Sequence, residues 1–209
     1  MKGFNAKCRL CPRLAEFLDQ VGNEYPDYHA APVAPFGDPE AHLLIVGLAP
    51  GMHGANATGR PFTGDHAGLL LYQTLFDYGF SNQPESISRR DGLELYNCRI
   101  TNAVKCLPPQ NKPVGAEVNQ CNKYLKNELL GLPTSSLVVA LGSIAHQSVI
   151  KALELKQKDF RFSHAGEHRL SDNLQLIDSY HCSRYNTQTR RLTPKMFKQV
   201  FRRAKKLLS

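Results

Sequence analysis

The apolar residues of the chain fall into two alternating patterns. "HLLIVGLA" (residues 42–49) is a continuous apolar run bounded by turn residues, as is "SSLVVALG" (residues 135–142). Such runs suit strands buried on both faces of a parallel sheet. "LYNCRITNAVKC" (residues 95–106) and "LQLIDSYH" (residues 174–181) predict two more strands. Between them the period lengthens. Residues 65–79 place Leu69, Leu70, Tyr72, Leu75 and Phe76 near one helical stripe. Residues 114–130 also read as helical. "SIAHQSVIKALEL" predicts a helix opening at a Ser cap, and "TPKMFKQVFRRAKKLL" one with Thr193 as N-cap and Pro194 in its first turn. Residues 21–40, with Pro26, Pro32, Pro35 and Pro39, read as an extended loop.

Strands alternating with helices predict an α/β fold: a three-layer α/β/α sandwich around a central parallel four-stranded sheet. Ligands of such sheets bind beyond the carboxyl ends of the strands. That rule gathers residues 47–65, the region of Asn102, and "HCSRYNTQTRR" after the fourth strand. The first of these, "GLAPGMHGANATGRPFTGD", packs five glycines, two prolines and one carboxylate between a strand and a helix. It is not a nucleotide phosphate loop, because no Gly-Lys-Ser/Thr follows.

At 209 residues, 42% hydrophobic and 21% charged, the chain is expected to form one globular domain spanning residues 1–209. No apolar run approaches the roughly 20 residues of a membrane span, and the N-terminus has no signal-peptide core, so a cytoplasmic monomer is expected. The net charge of +8 favours a polyanionic partner. The positive residues concentrate in "RRLTPKMFKQVFRRAKKLLS".

Six cysteines in a cytoplasmic chain point to metal or redox chemistry. Cys8 and Cys11 form C-x2-C within "CRLCPRLAEFLDQ". Cys106 and Cys121 lie 14 residues apart across the turn "LPPQNKP". Zinc and an iron–sulfur cluster both suit four thiolates so arranged, and ordinary buried cysteines are the alternative. Cys98 reads as core.

Taken together, these residues resemble a family, the uracil-DNA glycosylases, and specifically their type 5 iron–sulfur branch. "GLAPGMHGANATGRPFTGD" is similar to its first motif, "TNAVKCLPP" to its second and "DSYHCSRYNTQTRRLTP" to its third, in order over nearly the whole chain. The resemblance implies a [4Fe–4S] cluster on Cys8, Cys11, Cys106 and Cys121 that ties segment 1–20 to the domain. It implies a monofunctional glycosylase acting on DNA that contains uracil, or other deaminated bases such as hypoxanthine or xanthine. Phe62 would stack on the flipped base, Asn102 would read its edge, and His181 would donate to the departing uracil. Related branches carry a carboxylate or amide where this chain has Leu48, so the water falls to Asp65, which also opens a helix. Gly47, Leu48, Ala49, His53 and Asn56 are expected to contact substrate through the first loop. Ser183, Arg184 and Tyr185 are expected at the DNA, with Arg190 and Arg191 on phosphates. Cys182 stands where the family usually has proline after the histidine. The rival reading is a zinc-stabilised nucleic-acid-binding module without catalysis.

Overall fold

The computed structural model describes residues 3–209. Four strands run parallel: β2 (Leu43–Gly47), β3 (Cys98–Asn102), β4 (Ser136–Leu141) and β6 (Leu174–Ser179), in the spatial order β3-β2-β4-β6. These are the expected strands, trimmed at their ends.

The expectation of a four-stranded sheet is corrected, because an antiparallel strand is added at each edge. β1 (Phe36–Gly37) pairs with β3, and β5 (Glu167–Ser171) with β6, giving the order β1-β3-β2-β4-β6-β5. Both escaped the hydrophobic pattern for a physical reason. β1 is two residues long inside the proline-rich stretch, and β5 is "EHRLS", of which Leu170 alone is buried. Edge strands need only one hydrogen-bonded side and tolerate polar residues.

The parallel strands alternate between two apolar layers. Leu43, Ile45, Leu137 and Val139 face α3 (His66–Asp77) and α7 (Pro194–Leu207). Leu44, Val46, Val138 and Ala140 face α4 (Gly115–Leu130) and α5 (Ser143–Ala152). Thr193 caps α7 by accepting the Met196 N–H at 3.2 Å, with Pro194 in the first turn.

Three local expectations change. α5 starts one residue after Gly142, which occupies the cap position at φ 99°, so Ser143 is inside the helix. The buried face of α3 is Ala67, Leu71, Tyr72 and Leu75, whereas Leu69 and Phe76 are exposed. Residues 21–24 belong to α1 (Pro12–Glu24), which begins with Pro12 directly after Cys11. Leu14, Leu18 and Val21 of α1 pack on Val104, Leu107 and Tyr124, so the N-terminal segment lies against the end of β3 and against α4.

Candidate active site

The carboxyl ends of β2, β3, β4 and β6 open onto a cavity of about 550 Å³. It is lined by Leu48, Ala49, Phe62, Asp65, Asn102, His181, Ser183 and Arg184, all singled out in the sequence. The first two motifs meet by continued strand pairing: Ala103 N–H donates to the Gly47 carbonyl and Val104 N–H to Leu48, each at 2.9 Å. The first and third meet where His66 Nε2 lies 3.2 Å from Thr187 Oγ1 on α6 (Arg184–Gln188).

Asn102 ends β3 and is 4% exposed, yet its Oδ1 has no hydrogen-bond partner. Buried polar atoms are rarely left unpaired, and one lining a cavity is available to a ligand. A Cβ on Gly47 would overlap this oxygen and come within 2.7 Å of the Phe62 ring. The glycine therefore makes room for the site's own side chains.

The same reason explains Gly51 and Gly54. A Cβ on Gly54 would overlap the Asp65 carboxylate, and one on Gly51 would sit 2.5 Å from it. The first loop wraps that carboxylate with bare backbone. Asp65 occupies the cap position of α3, but its side chain makes no bond to that helix. Its Oδ2 instead accepts the Ala55 N–H at 3.2 Å, across the loop at the start of α2 (Ala55–Thr58). Burial raises its pKa above the ordinary 3.8, opposed by the Ala55 N–H and by His53. A capped helix end would have lowered it, so the Asp65 environment is less favourable to charge than the sequence suggested.

Phe62 adopts φ 57°, unusual for an aromatic residue, and is 5% exposed. It belongs to the core cluster and lines the cavity as well. Its ring lies nearly parallel to His181, with centroids 6.0 Å apart at 26°. Burial pushes His181 down to about 4, so its imidazole is neutral at pH 7.

Cys182 is fully buried in the core, with burial pushing its thiol up to about 12. No thiol is offered to the cavity there. The His181 carbonyl is tied instead by Asn186 Nδ2 at 2.8 Å, and Ser183 caps α6 through the Asn186 N–H at 3.4 Å.

Five expected contacts are not in the cavity lining, among them Arg190, which is exposed just past α6. Gly47 lies behind Asn102 and Phe62. His53 is exposed, with Nδ1 2.8 Å from Tyr28 Oη. Asn56 is wholly buried, and both of its side-chain polar atoms lack partners. Tyr185 is 71% exposed on α6. Conversely, the sequence reading missed the wall formed by Leu141 to Ala145, Phe162 and Tyr180. The strand-end rule could have supplied the residues after β4. Phe162 sits in a stretch with no periodic signal.

Cys8, Cys11, Cys106 and Cys121 converge around a second, much smaller cavity beneath α1. Burial raises Cys106 to about 12 and raises Cys11 and Cys121, with the neighbouring thiols adding to each. A cationic centre would be needed to hold them as thiolates. A single zinc ion draws its sulfurs in at about 2.3 Å, which sets them about 3.8 Å apart. Among the described residues, the group of three His, Cys, Asp or Glu ligand atoms within 4.8 Å of one another is His146, His168 and Asp178, and no cysteine trio is so close. Beside the thiols, buried Lys105 bonds Thr101 Oγ1 and Glu128 Oε1, the latter at 2.7 Å, bracing β3 against α4.

Comparison with known proteins places these features in context. The family described as the Uracil DNA glycosylase superfamily matches residues 34–205. The chain is 45% identical over 205 residues to a type-5 uracil-DNA glycosylase of Thermus thermophilus, covering 96% of this chain and 93% of the relative. It is 41% identical over 201 residues to one of Pyrobaculum aerophilum, covering 94% and 87%. It is also 41% identical over 208 residues to one of Mycobacterium leprae, covering 96% and 91%.

Proposed function

The chain belongs to the uracil DNA glycosylase superfamily, and from that premise we propose that it excises uracil from DNA by hydrolysing the N-glycosidic bond. The observation that carries this reading is the unpaired Asn102 Oδ1, buried beside Phe62, Asp65 and His181 in one cavity.

A base inside a duplex must be flipped out, at a cost of a few kcal/mol. Stacking on Phe62 recovers roughly 1–3 kcal/mol of that. Asn102 Oδ1 accepts from uracil N3–H and its amide donates to O4. Bond cleavage leaves charge on the base, and neutral His181 donates a proton-bearing nitrogen toward O2, where that charge collects. Asp65, once ionised, orients the attacking water and offsets positive charge on the sugar. Leu48 lines the cavity but can do neither. Water is the nucleophile, so no lyase step follows. Arg184 and Arg191, exposed at the cavity mouth, suit backbone phosphates.

Hypoxanthine and xanthine are proposed as further substrates on the resemblance to the type 5 branch alone. The four cysteines, gathered around one small cavity, fit a [4Fe–4S] cluster by donor type, and the likeness to type-5 glycosylases favours it over zinc. Such a cluster, when bound, supplies four iron–thiolate links that clamp the N-terminal segment to the β3–α4 connection. A zinc-stabilised binding module leaves Asp65, Asn102 and His181 without roles.

The test uses labelled duplexes carrying one uracil, hypoxanthine or xanthine, treated with enzyme and then alkali. Alkali-labile sites at uracil are expected, with none before alkali. Intact strands despite measurable duplex binding would return the binding module. Assay of iron, inorganic sulfide and zinc in the purified protein separates the two metal readings.

A further inference from the structure

Residues 160–166 connect α5 to β5 and carry Phe162 into the cavity wall. Two histidines hold this stretch against β6, and their hydrogen bonds demand opposite protonation states. His146, buried on α5, has Nδ1 2.8 Å from Asp178 Oδ1 and Nε2 2.9 Å from the Phe160 carbonyl. Both partners only accept, so both bonds form only if both ring nitrogens carry protons. His146 is then an imidazolium paired with the wholly buried Asp178 carboxylate. The other Asp178 oxygen lies 3.0 Å from His168 Nε2.

His164 is the reverse case. The Tyr180 N–H donates to its Nδ1 at 3.2 Å, so that nitrogen must be bare. Its ring stacks on Tyr180, with centroids 5.1 Å apart at 22°. Phe162 touches both ends of the arrangement, 5.7 Å from the His146 ring and 6.1 Å from Tyr180. Ala165 N–H to the Asp178 carbonyl at 2.8 Å, and Asp178 N–H to Gly166 at 2.9 Å, close the seam. Tyr180 immediately precedes His181, so the seam ends at the pocket.

We propose that His146 and His164 are paired positioning residues that hold the Phe162–Tyr180 wall of the pocket in place only while His146 is charged and His164 is bare at Nδ1. This rests on the reading of the cavity as the excision site.

The groups facing each ring are few. His146 meets Asp178 of β6, His168 of β5, and the uncharged Phe160 carbonyl and Phe162 ring. His164 meets Tyr180 and the Met196 backbone of α7, and the Arg191 guanidinium lies 4.7 Å from the Tyr180 ring centre. Burial pulls His146 down, but Asp178 and the Phe160 carbonyl outweigh it and leave the ring above its ordinary 6.5. Burial lowers His164, with Met196 offsetting part of the shift. The signs then give a window. The His146 bonds are complete below 6.5 and are lost as pH rises through its raised value. The His164 bond is complete above 6.5 and is lost as pH falls through its lowered value. The wall is therefore intact on both sides of 6.5 and loosens at each extreme.

Imidazole ¹⁵N spectra of histidine-labelled wild-type protein at pH 6.5, between the raised His146 and the lowered His164, test the protonation states directly. Two protonated nitrogens on His146 and a bare Nδ1 on His164 are expected. A neutral His146, including the bare Nδ1 that a divalent cation on the same three side chains would require, overturns the proposal. The functional arm is the KM for a uracil duplex across pH. A several-fold rise at both extremes is expected in the wild type. His164→Asn, whose Oδ1 accepts the Tyr180 N–H at any pH, should remove the acid rise and leave the acid limb of kcat in place. An unchanged KM profile in that variant counts against the proposal, and the spectra decide if it does not fold. A wild-type protein with no excision activity contradicts the parent reading, and the spectra stand apart from it.

Discussion

Two buried polar side chains, one ending β3 and one three residues beyond it, behave oppositely. Lys105, three residues past Asn102, is 1% exposed and bonded to Thr101 and Glu128. Asn102 is 4% exposed and has a bare oxygen facing the cavity. Both were desolvated on folding, but only Lys105 was compensated by the protein itself. A paired buried group is an internal brace, and an unpaired one at a cavity is half of a contact that substrate completes. Substitutions on the two sides should therefore fail differently: activity without stability at the cavity, stability without activity at the brace.

The largest effect on catalysis is expected from Asp65. Replacement by Ala should lower kcat by about 10²–10⁴-fold and leave duplex affinity intact. Asp65→Asn should do the same and also raise Tm at neutral pH. The sign follows from the raised pKa: the unfolded chain ionises this carboxyl more readily than the folded one, so its charge opposes folding above the ordinary 3.8. A Tm unchanged or lowered at pH 7 would contradict the desolvated environment. The acid limb of kcat should likewise lie above the ordinary 3.8 of a carboxyl.

Gly54→Ala should come next, since its methyl would overlap the Asp65 carboxylate. A displacement of about 1 Å at a reacting group can cost about 10²-fold. Asn102→Ala removes two hydrogen bonds to the base, worth about 1 kcal/mol each, and should lower kcat/KM by about 10–100-fold without lowering Tm. Lys105→Met should have the smallest effect on kcat per folded molecule. It should cost about 1–3 kcal/mol of stability, because the partly buried Glu128 and the buried Thr101 hydroxyl lose their partner. Denaturation and single-turnover rates measured on the same preparations separate these outcomes. A stable Lys105→Met protein with lost activity would erase the distinction between brace and contact.

Much of the molecule was legible before any coordinates. Two of the four parallel strands, β2 and β4, announce themselves because strands buried on both faces are continuously apolar, as in "LLIV" and "LVVAL". The edge strands do not, because two residues at Phe36–Gly37 and the polar "EHRLS" carry no such demand. Asp65, Asn102 and His181 were found because strand ends converge and because three long motifs resemble a known family. What the residues could not reveal was how the first loop uses its glycines. Gly51 and Gly54 are spaced to enclose a side chain eleven and more residues later. Nor could sequence order expose the clamp around Asp178, whose partners His146 and His168 come from α5 and β5, with the Phe160 carbonyl closing on the far nitrogen of His146.

The most direct test is a single-turnover assay on a uracil-containing duplex, comparing wild type with Asp65→Ala at protein concentrations that saturate the DNA. Abasic product from the wild type alone, with equal binding by both, is the expected result. Equal product from both would remove Asp65 from the reaction and with it the assignment of water to that carboxylate.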